Sequence, residues 1–227
     1  MTAGALRLVV FDLDGTLVDS LATIQRSMAG AAARHDIAAP DPARVRGVIG
    51  LPLREAIGAV FDAVPEESWD ALAEAYKEAF WALTAEGDSN DDLYPGALDC
   101  LEALDAAGFL LGIATGKGRR GLDTVLEHHG LHARFVTLQS SDNGPGKPHP
   151  AMLERAMAEA GAEAAATVMI GDTTFDIEMA KAAGAAAIGV AWGYHAVAGL
   201  RDVGADHIAT EFPDLPPAID RLLGRPR

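Results

Sequence analysis

Residues 8–17, Leu-Val-Val-Phe-Asp-Leu-Asp-Gly-Thr-Leu, constrain this chain more than any other stretch. A short apolar run without polar alternation breaks off in two carboxylates one residue apart. Such a run predicts a strand covered on both faces, as in a parallel sheet. Open α/β sheets hold ligands beyond the carboxyl ends of these strands. Period-two geometry sends Asp12 and Asp14 to one side of an extended chain, where they repel each other unless something positive joins them. A hard divalent cation with oxygen ligands meets that need, and Mg²⁺ suits a site offering few protein ligands. Gly15 permits the sharp turn that follows. Alone, the stretch reads equally well as a strand end with an Asp-Gly turn, so the remaining residues decide.

After residue 17 the period changes from strand to helix. Leu21, Ile24 and Met28 recur at three- and four-residue steps and predict a helix over 19–35, with Asp19 or Ser20 near its start. Shorter helices follow over 42–47 and 53–61, separated by the Gly50-Leu51-Pro52 turn. The segment 66–86 is the clearest amphipathic helix, with Trp69, Leu72, Ala73, Tyr76, Phe80 and Leu83 on one stripe that reads as helix-bundle core. A polar linker over 87–92 precedes a helix opened by Pro95 and ending before Gly108.

From there strands and helices alternate. Strands are expected over 110–114, 135–138, 168–170, 186–190 and, weakly, 207–209; helices over 122–129, 150–160, 176–183 and just before Gly224. Gly108, Gly130, Gly161 and Gly184 mark helix ends. The pattern predicts an α/β fold, a doubly wound parallel sheet interrupted by an inserted α-helical unit. Residues 1–17 and 94–227 form the core in this reading, and 18–93 the helical insert.

A formal charge of −15 argues against nucleic-acid backbones and anionic membrane surfaces as partners. It leaves room for a small anionic substrate, because a bound metal and local cations set the field inside a pocket. The single Cys100 has no intrachain partner and reads as a small buried side chain. No signal peptide or membrane span is expected, which makes the cytoplasm the default location. The oligomeric state is left open.

Three further strand ends carry suitable polar residues. Thr115-Gly116-Lys117 offers a hydroxyl and free backbone N–H groups at a helix start, which can hold an oxyanion. The loop at Gly146-Lys147-Pro148 presents an ammonium, and Gly171-Asp172-Thr173-Thr174-Phe175-Asp176 is a second apolar strand meeting paired carboxylates. DLDGT at 12–16, the Thr115 strand end, KPxP at 147–150 and GDxxxD at 172–176, in that order, resemble the haloacid dehalogenase superfamily. Within it the chain is most similar to the phosphoglycolate phosphatase-like branch, which has a helical cap after the first strand.

The resemblance implies a Mg²⁺-dependent phosphatase acting on a small phosphomonoester. It makes Asp12 the nucleophile that forms an aspartyl-phosphate, and Asp14 the general acid and base. Thr115, Gly116 and Lys147 would hold the phosphoryl group; Asp12, the Asp14 carbonyl and Asp172 would hold the metal, with Asp176 supporting from behind. Family members often have Asn where this chain has Gly116, so one side-chain contact is missing. Asp14 favours phosphoryl transfer over dehalogenation. Ile24 stands where the mutase-like members carry a histidine, which favours hydrolysis over a phosphosugar mutase; a pyrophosphatase is a further alternative. Selectivity is expected from the cap, where Arg46 and Arg54 flank the 47–52 turn and could meet a substrate carboxylate. Trp192 to His195 follow a core strand and are expected near the pocket rim.

A different class competes at 116–121, which spells GxGxxG between a strand and a helix with Asp142 about twenty residues on, a dinucleotide-binding pattern. It sits on the second strand and leaves Asp12, Asp14, Asp172 and Asp176 without a role. A P-loop is excluded because neither Lys117 nor Lys147 precedes Ser or Thr.

Overall fold

The computed structural model describes residues 6–87, 89 and 91–224. Residues 1–5 and 225–227 of the expected core, and Asp88 and Asn90 of the expected linker, lie outside the described residues.

A strand that is apolar on both faces needs neighbours on both sides, and β1 (Leu8–Phe11) has them. It pairs in parallel with β4 (Leu110–Ala114) and with β6 (Thr167–Gly171), so that Phe11 lies beside Ile113 and Ile170. With β5 (Thr137–Gln139), β7 (Ala186–Val190) and β8 (His207–Ala209) they form a parallel sheet of order β5-β4-β1-β6-β7-β8. The chain runs outward to one side of β1 through β4 and β5, then to the other through β6, β7 and β8. The carboxyl end of β1 is therefore the topological switch point, where sheets of this kind leave a crevice.

Period two divides the strand residues between two layers. Val9, Phe11, Ile113 and Ile170 face a core built with α5 (Ala97–Ala106), α6 (Arg119–His128) and α10 (Leu215–Leu223). Val10, Met169 and Ala187 face α7 (Ala151–Ala160) and α8 (Thr174–Ala182). Cys100 is buried in the first layer and unpaired.

Between β1 and β4 the chain forms α1 (Leu21–Arg34), α2 (Pro42–Val48), α3 (Leu53–Val60) and α4 (Trp69–Ala85). They share a third apolar cluster that includes Ile24, Met28, Ile57 and Leu72.

Several details differ from the sequence reading. The two ends of the helical insert, expected as a helix start and the end of a polar linker, pair instead as an antiparallel ribbon, β2 (Val18–Asp19) with β3 (Asp92–Leu93), because the two chain crossings lie side by side. The helix expected from residue 66 opens with a 3₁₀ turn, Glu66–Ser68, before α4 begins. The helix after β4 starts three residues early, at Arg119, whose N–H donates to Asp142 Oδ2 at 2.7 Å. The Asp142 side chain supplies the cap that local sequence did not advertise. A short helix, α9 (Val197–Asp202), was not expected; its six residues are too few for a periodic signal.

Candidate active site

The four polar strand ends meet at one edge of the sheet. The backbone N–H of Asp12 donates to Ile170 O at 2.9 Å, extending the β1–β6 pairing by one residue and setting Asp12 beside Asp172. Asp12, Asp172 and Asp176 bring carboxylate oxygens within 4.8 Å of one another, and all three residues are buried. The Lys147 ammonium enters from the loop before α7, 2.8 Å from Asp12 Oδ1 and 2.6 Å from Asp176 Oδ1. Asp176, expected to support the metal ligands from behind, is thus also the second partner of Lys147.

Asp172 is held rigidly. Its Oδ1 accepts from Thr16 Oγ1 at 2.9 Å, and its Oδ2 accepts from the Tyr194 N–H at 2.8 Å. A Cβ on Gly15 would lie 2.4 Å from that Oδ2. With φ of +86° as well, residue 15 has two independent reasons to be glycine. Asp176 has a double duty: its Oδ2 accepts from Thr173 N and Thr173 Oγ1 in a capping box at the start of α8, while its Oδ1 faces Lys147.

Asp14 has partners outside this trio. Its Oδ1 accepts from Ser20 Oγ at 2.7 Å and lies 3.2 Å from Lys117 Nζ. Ser20 is positioned in turn by the Tyr194 hydroxyl, which accepts from the Ser20 N–H at 3.0 Å. The two aspartates of the first motif thus have separate partners. Thr115 is buried at the end of β4, where its Oγ1 accepts from Lys117 N at 3.2 Å and so keeps its own proton to donate.

Electrostatically the buried cluster has too little positive charge. Burial pushes the Asp12 carboxyl well above its ordinary value; Lys147 opposes this, while Asp176 and Asp172 add to it. Burial followed by Asp176 lifts Asp172 to about 7. Burial works against the Lys147 charge too, but Asp12 and Asp176 outweigh it and shift its pKa upward. Three carboxylates against one ammonium favour a further cation. Asp12 Oδ2 is buried with no partner among the described residues. An all-oxygen, carboxylate-rich donor set of this kind fits a hard divalent ion such as Mg²⁺.

Asp12, Asp14, Thr115 and Gly116 open onto a cavity of about 640 Å³ between the sheet edge and helices α1–α4. Gly116 has a role the sequence did not reveal. A Cβ there would sit 2.6 Å from Gly50 O and 2.7 Å from Leu51 O. The missing side chain is the space in which the 50–52 turn docks. Gly146 accommodates the same turn, since its Cβ would lie 2.2 Å from Pro52 Cγ.

The two arginines considered for specificity are otherwise engaged. Arg46 donates through Nε to Tyr194 O at 2.9 Å and through Nη2 to Gly193 O at 3.0 Å, tying α2 to the loop after β7. Arg46 does not line the large cavity. Arg54 does, but it bonds Asp70 and Glu66 and lies over the Trp69 ring. Trp192 to His195 also lie away from the large cavity. Trp192 Nε1 donates to Thr16 O, Tyr194 supports Ser20, and the Thr174 N–H donates to His195 Nδ1.

Sequence reasoning missed Thr16, Ser20, Lys117 and Tyr194. Thr16 and Lys117 lie within motifs already singled out, Ser20 was visible as a helix start, and Tyr194 lies in the 192–195 run, where its bond to Ser20 had no local signal. The dinucleotide reading meets an obstacle: Asp142, its proposed ribose acid, occupies the N-terminus of α6 where a pyrophosphate would bind.

Comparison with known proteins agrees with this arrangement. Residues 9–190 match the family model described as haloacid dehalogenase-like hydrolase. The chain is 36% identical to "Probable phosphatase IndB" of Dickeya dadantii over 219 residues, covering 95% of this chain and 94% of that protein. It is 32% identical to a phosphoglycolate phosphatase of Mannheimia succiniciproducens over 215 residues, 92% of this chain and 96% of the other. A crystal structure described as a predicted phosphatase from Clostridium acetobutylicum superposes with a TM-score of 0.86 at 26% identity, covering 96% of this chain and all of that one. With the parallel sheet, the four strand-end motifs and the family match in agreement, this chain belongs to the haloacid dehalogenase-like hydrolases.

Proposed function

We propose that the chain is a Mg²⁺-dependent phosphatase that hydrolyses a phosphomonoester of a small metabolite through a phosphorylated Asp12. The observation that carries this reading is the separation of the two motif aspartates: Asp12 faces the buried carboxylate–lysine cluster, and Asp14 faces Ser20 and Lys117. One carboxylate is thereby equipped to attack and the other to move a proton.

Asp12 and Asp172, with the Asp14 carbonyl, would hold the ion, and Asp176 would orient Lys147 behind them. When bound, Mg²⁺ supplies the positive charge that lets a phosphate dianion approach a carboxylate. Thr115 Oγ1, the Gly116 N–H and Lys147 would bind the phosphoryl oxygens. An Asp12 oxygen attacks phosphorus; the ester P–O bond breaks, its electron pair goes to the leaving oxygen, and Asp14 gives that oxygen a proton. Asp14 then takes a proton from water as the water oxygen attacks phosphorus. The Asp12–phosphorus bond breaks, which releases phosphate and restores both carboxyl groups.

Ile24, in the position where a mutase-like member has histidine, lines the cavity as a plain hydrocarbon and supports hydrolysis over transfer to a second sugar hydroxyl. The names of the relatives make 2-phosphoglycolate the first substrate to try. Phosphate release measured with and without Mg²⁺ tests the reading. Asp12→Asn is expected to lower kcat by at least about 10³-fold, in line with removal of a covalent nucleophile; turnover at the wild-type rate would refute it.

A further inference from the structure

The cavity above Asp12 and Asp14 is larger and more apolar than a two-carbon acid requires. At about 640 Å³ it lies within the range of roughly 300–1,000 Å³ typical of sites for drug-sized ligands. A carboxymethyl group needs only a few water-sized volumes, roughly 100 Å³. Its far wall consists of Met28, Val45, Ile49, Ala73, Tyr76 and Phe80. All but Phe80 belong to the apolar cluster of α1–α4 or pack against it, so the cavity is an indentation into that cluster. The stripe on α4 that reads as helix-bundle core in the sequence is thus core at Leu72 and cavity wall at Ala73, Tyr76 and Phe80.

Three of the four cations lining the cavity are already paired with carboxylates. Its four basic side chains are Arg54, Lys77, Lys117 and Arg120. Arg54 is bridged to Glu66 and Asp70, Lys77 to Glu74, and Lys117 to Asp14. The Arg120 guanidinium lies 4.0 Å from the centre of the Trp81 ring. A second carboxylate on the substrate would lie in a space that Asp70, Glu74 and Asp142 also face, and the one lining cation it could meet without breaking an ion pair is Arg120, stacked on Trp81. A flat apolar group meets no such obstacle and finds the Tyr76, Phe80 and Trp81 rings.

Building on the phosphatase reading above, we infer that the physiological substrate carries a bulky, uncharged and largely apolar leaving group, such as one bearing an aromatic ring, and is not a small phosphorylated acid. Asp12 receives the phosphoryl group at the sheet edge while the alcohol portion lies against α1, α2 and α4. The preference is a matter of apolar surface removed from water in the bound state.

Three alkyl phosphates with alcohol leaving groups test this in the full-length protein with Mg²⁺: ethyl phosphate, 2-phosphoglycolate and 2-phenylethyl phosphate. The expected kcat/KM for 2-phenylethyl phosphate exceeds that of each of the others by about 30–100-fold, a discrimination ordinary for an apolar pocket filled by several carbons. Ala73→Phe, which fills the wall, is expected to cut the ratio of 2-phenylethyl to ethyl phosphate by about tenfold. Using a ratio cancels any fraction of misfolded protein. Equal kcat/KM values, a preference for 2-phosphoglycolate, or a ratio unmoved in the folded variant would overturn the inference and leave the phosphatase reading standing. Hydrolysis of none of the three would remove the phosphatase reading and this inference with it.

Discussion

At the scale of single residues, Lys117 is the cation that distinguishes the surroundings of Asp14 from those of Asp12. Its ammonium lies 3.2 Å from Asp14 Oδ1 and 4.9 Å from the centre of the Phe80 ring. Burial works against that charge, but Asp14, Tyr76 and Asp91 together outweigh it, so its pKa is raised. Lys117→Met keeps most of the side-chain length and removes the charge beside Asp14, the proposed proton-transfer group. A fall in kcat of about 10–100-fold is expected, with partial recovery in Lys117→Arg, both read from phosphate release. His195 provides a test of pH dependence. Burial lowers its pKa below the usual 6.5, and its Nδ1 must stay unprotonated to accept the Thr174 N–H. The unfolded chain therefore binds the proton more readily than the folded one. Its contribution to stability is complete above about pH 6.5 and is lost as pH falls toward the folded-state pKa. His195→Gln should flatten that part of a plot of urea midpoint against pH, because glutamine does not titrate.

At the scale of elements, glycine positions report how closely the 50–52 turn approaches the sheet edge. Gly116→Ala places a methyl carbon against the Gly50 and Leu51 carbonyls, with no flexible side chain available to yield. Destabilisation of about 1–3 kcal/mol is expected in urea unfolding. Gly47→Ala is the matched comparison, in α2 with nothing within 4 Å of the added carbon. It should be neutral or stabilising by up to about 1 kcal/mol through helix propensity alone. If both variants lose the same stability, the docking of the turn on Gly116 is not what restricts that position.

For the whole molecule, the acidic trio should make stability depend on a divalent ion. Mg²⁺ at about one hundred times its Kd should add about 2.7 kcal/mol to the unfolding free energy, by preferential binding to the folded state. Asp172→Asn should abolish most of the corresponding rise in Tm. A wild-type Tm insensitive to Mg²⁺ would argue against the trio as a cation site. Arg46 joins α2 to the loop after β7 through two backbone carbonyls, so it belongs to the contact between the helices and the sheet edge.

Local sequence marked out the candidate site residues and most of the secondary structure. The unalternating run before Asp12, the motif order along the chain and the glycines at helix ends depend on near neighbours, and strands such as Ala186–Val190 appear where periodicity puts them. Asp12, Asp14, Thr115, Lys147 and Asp172 could be singled out because each follows a strand or lies in a loop rich in glycine and proline. Which of them meet was decided by tertiary structure. Pairing on both sides of β1 sets Asp172 beside Asp12, and the return of the chain from β7 brings Tyr194 under Ser20, 174 residues away. The partner of Lys147, the engagement of Arg46 with carbonyls and the use of Gly116 as a docking site all depend on atoms far apart in the chain. A periodic pattern records whether a side chain is apolar, but whether Tyr76 and Phe80 face a neighbouring helix or an open cavity depends on how α1–α4 sit over the sheet.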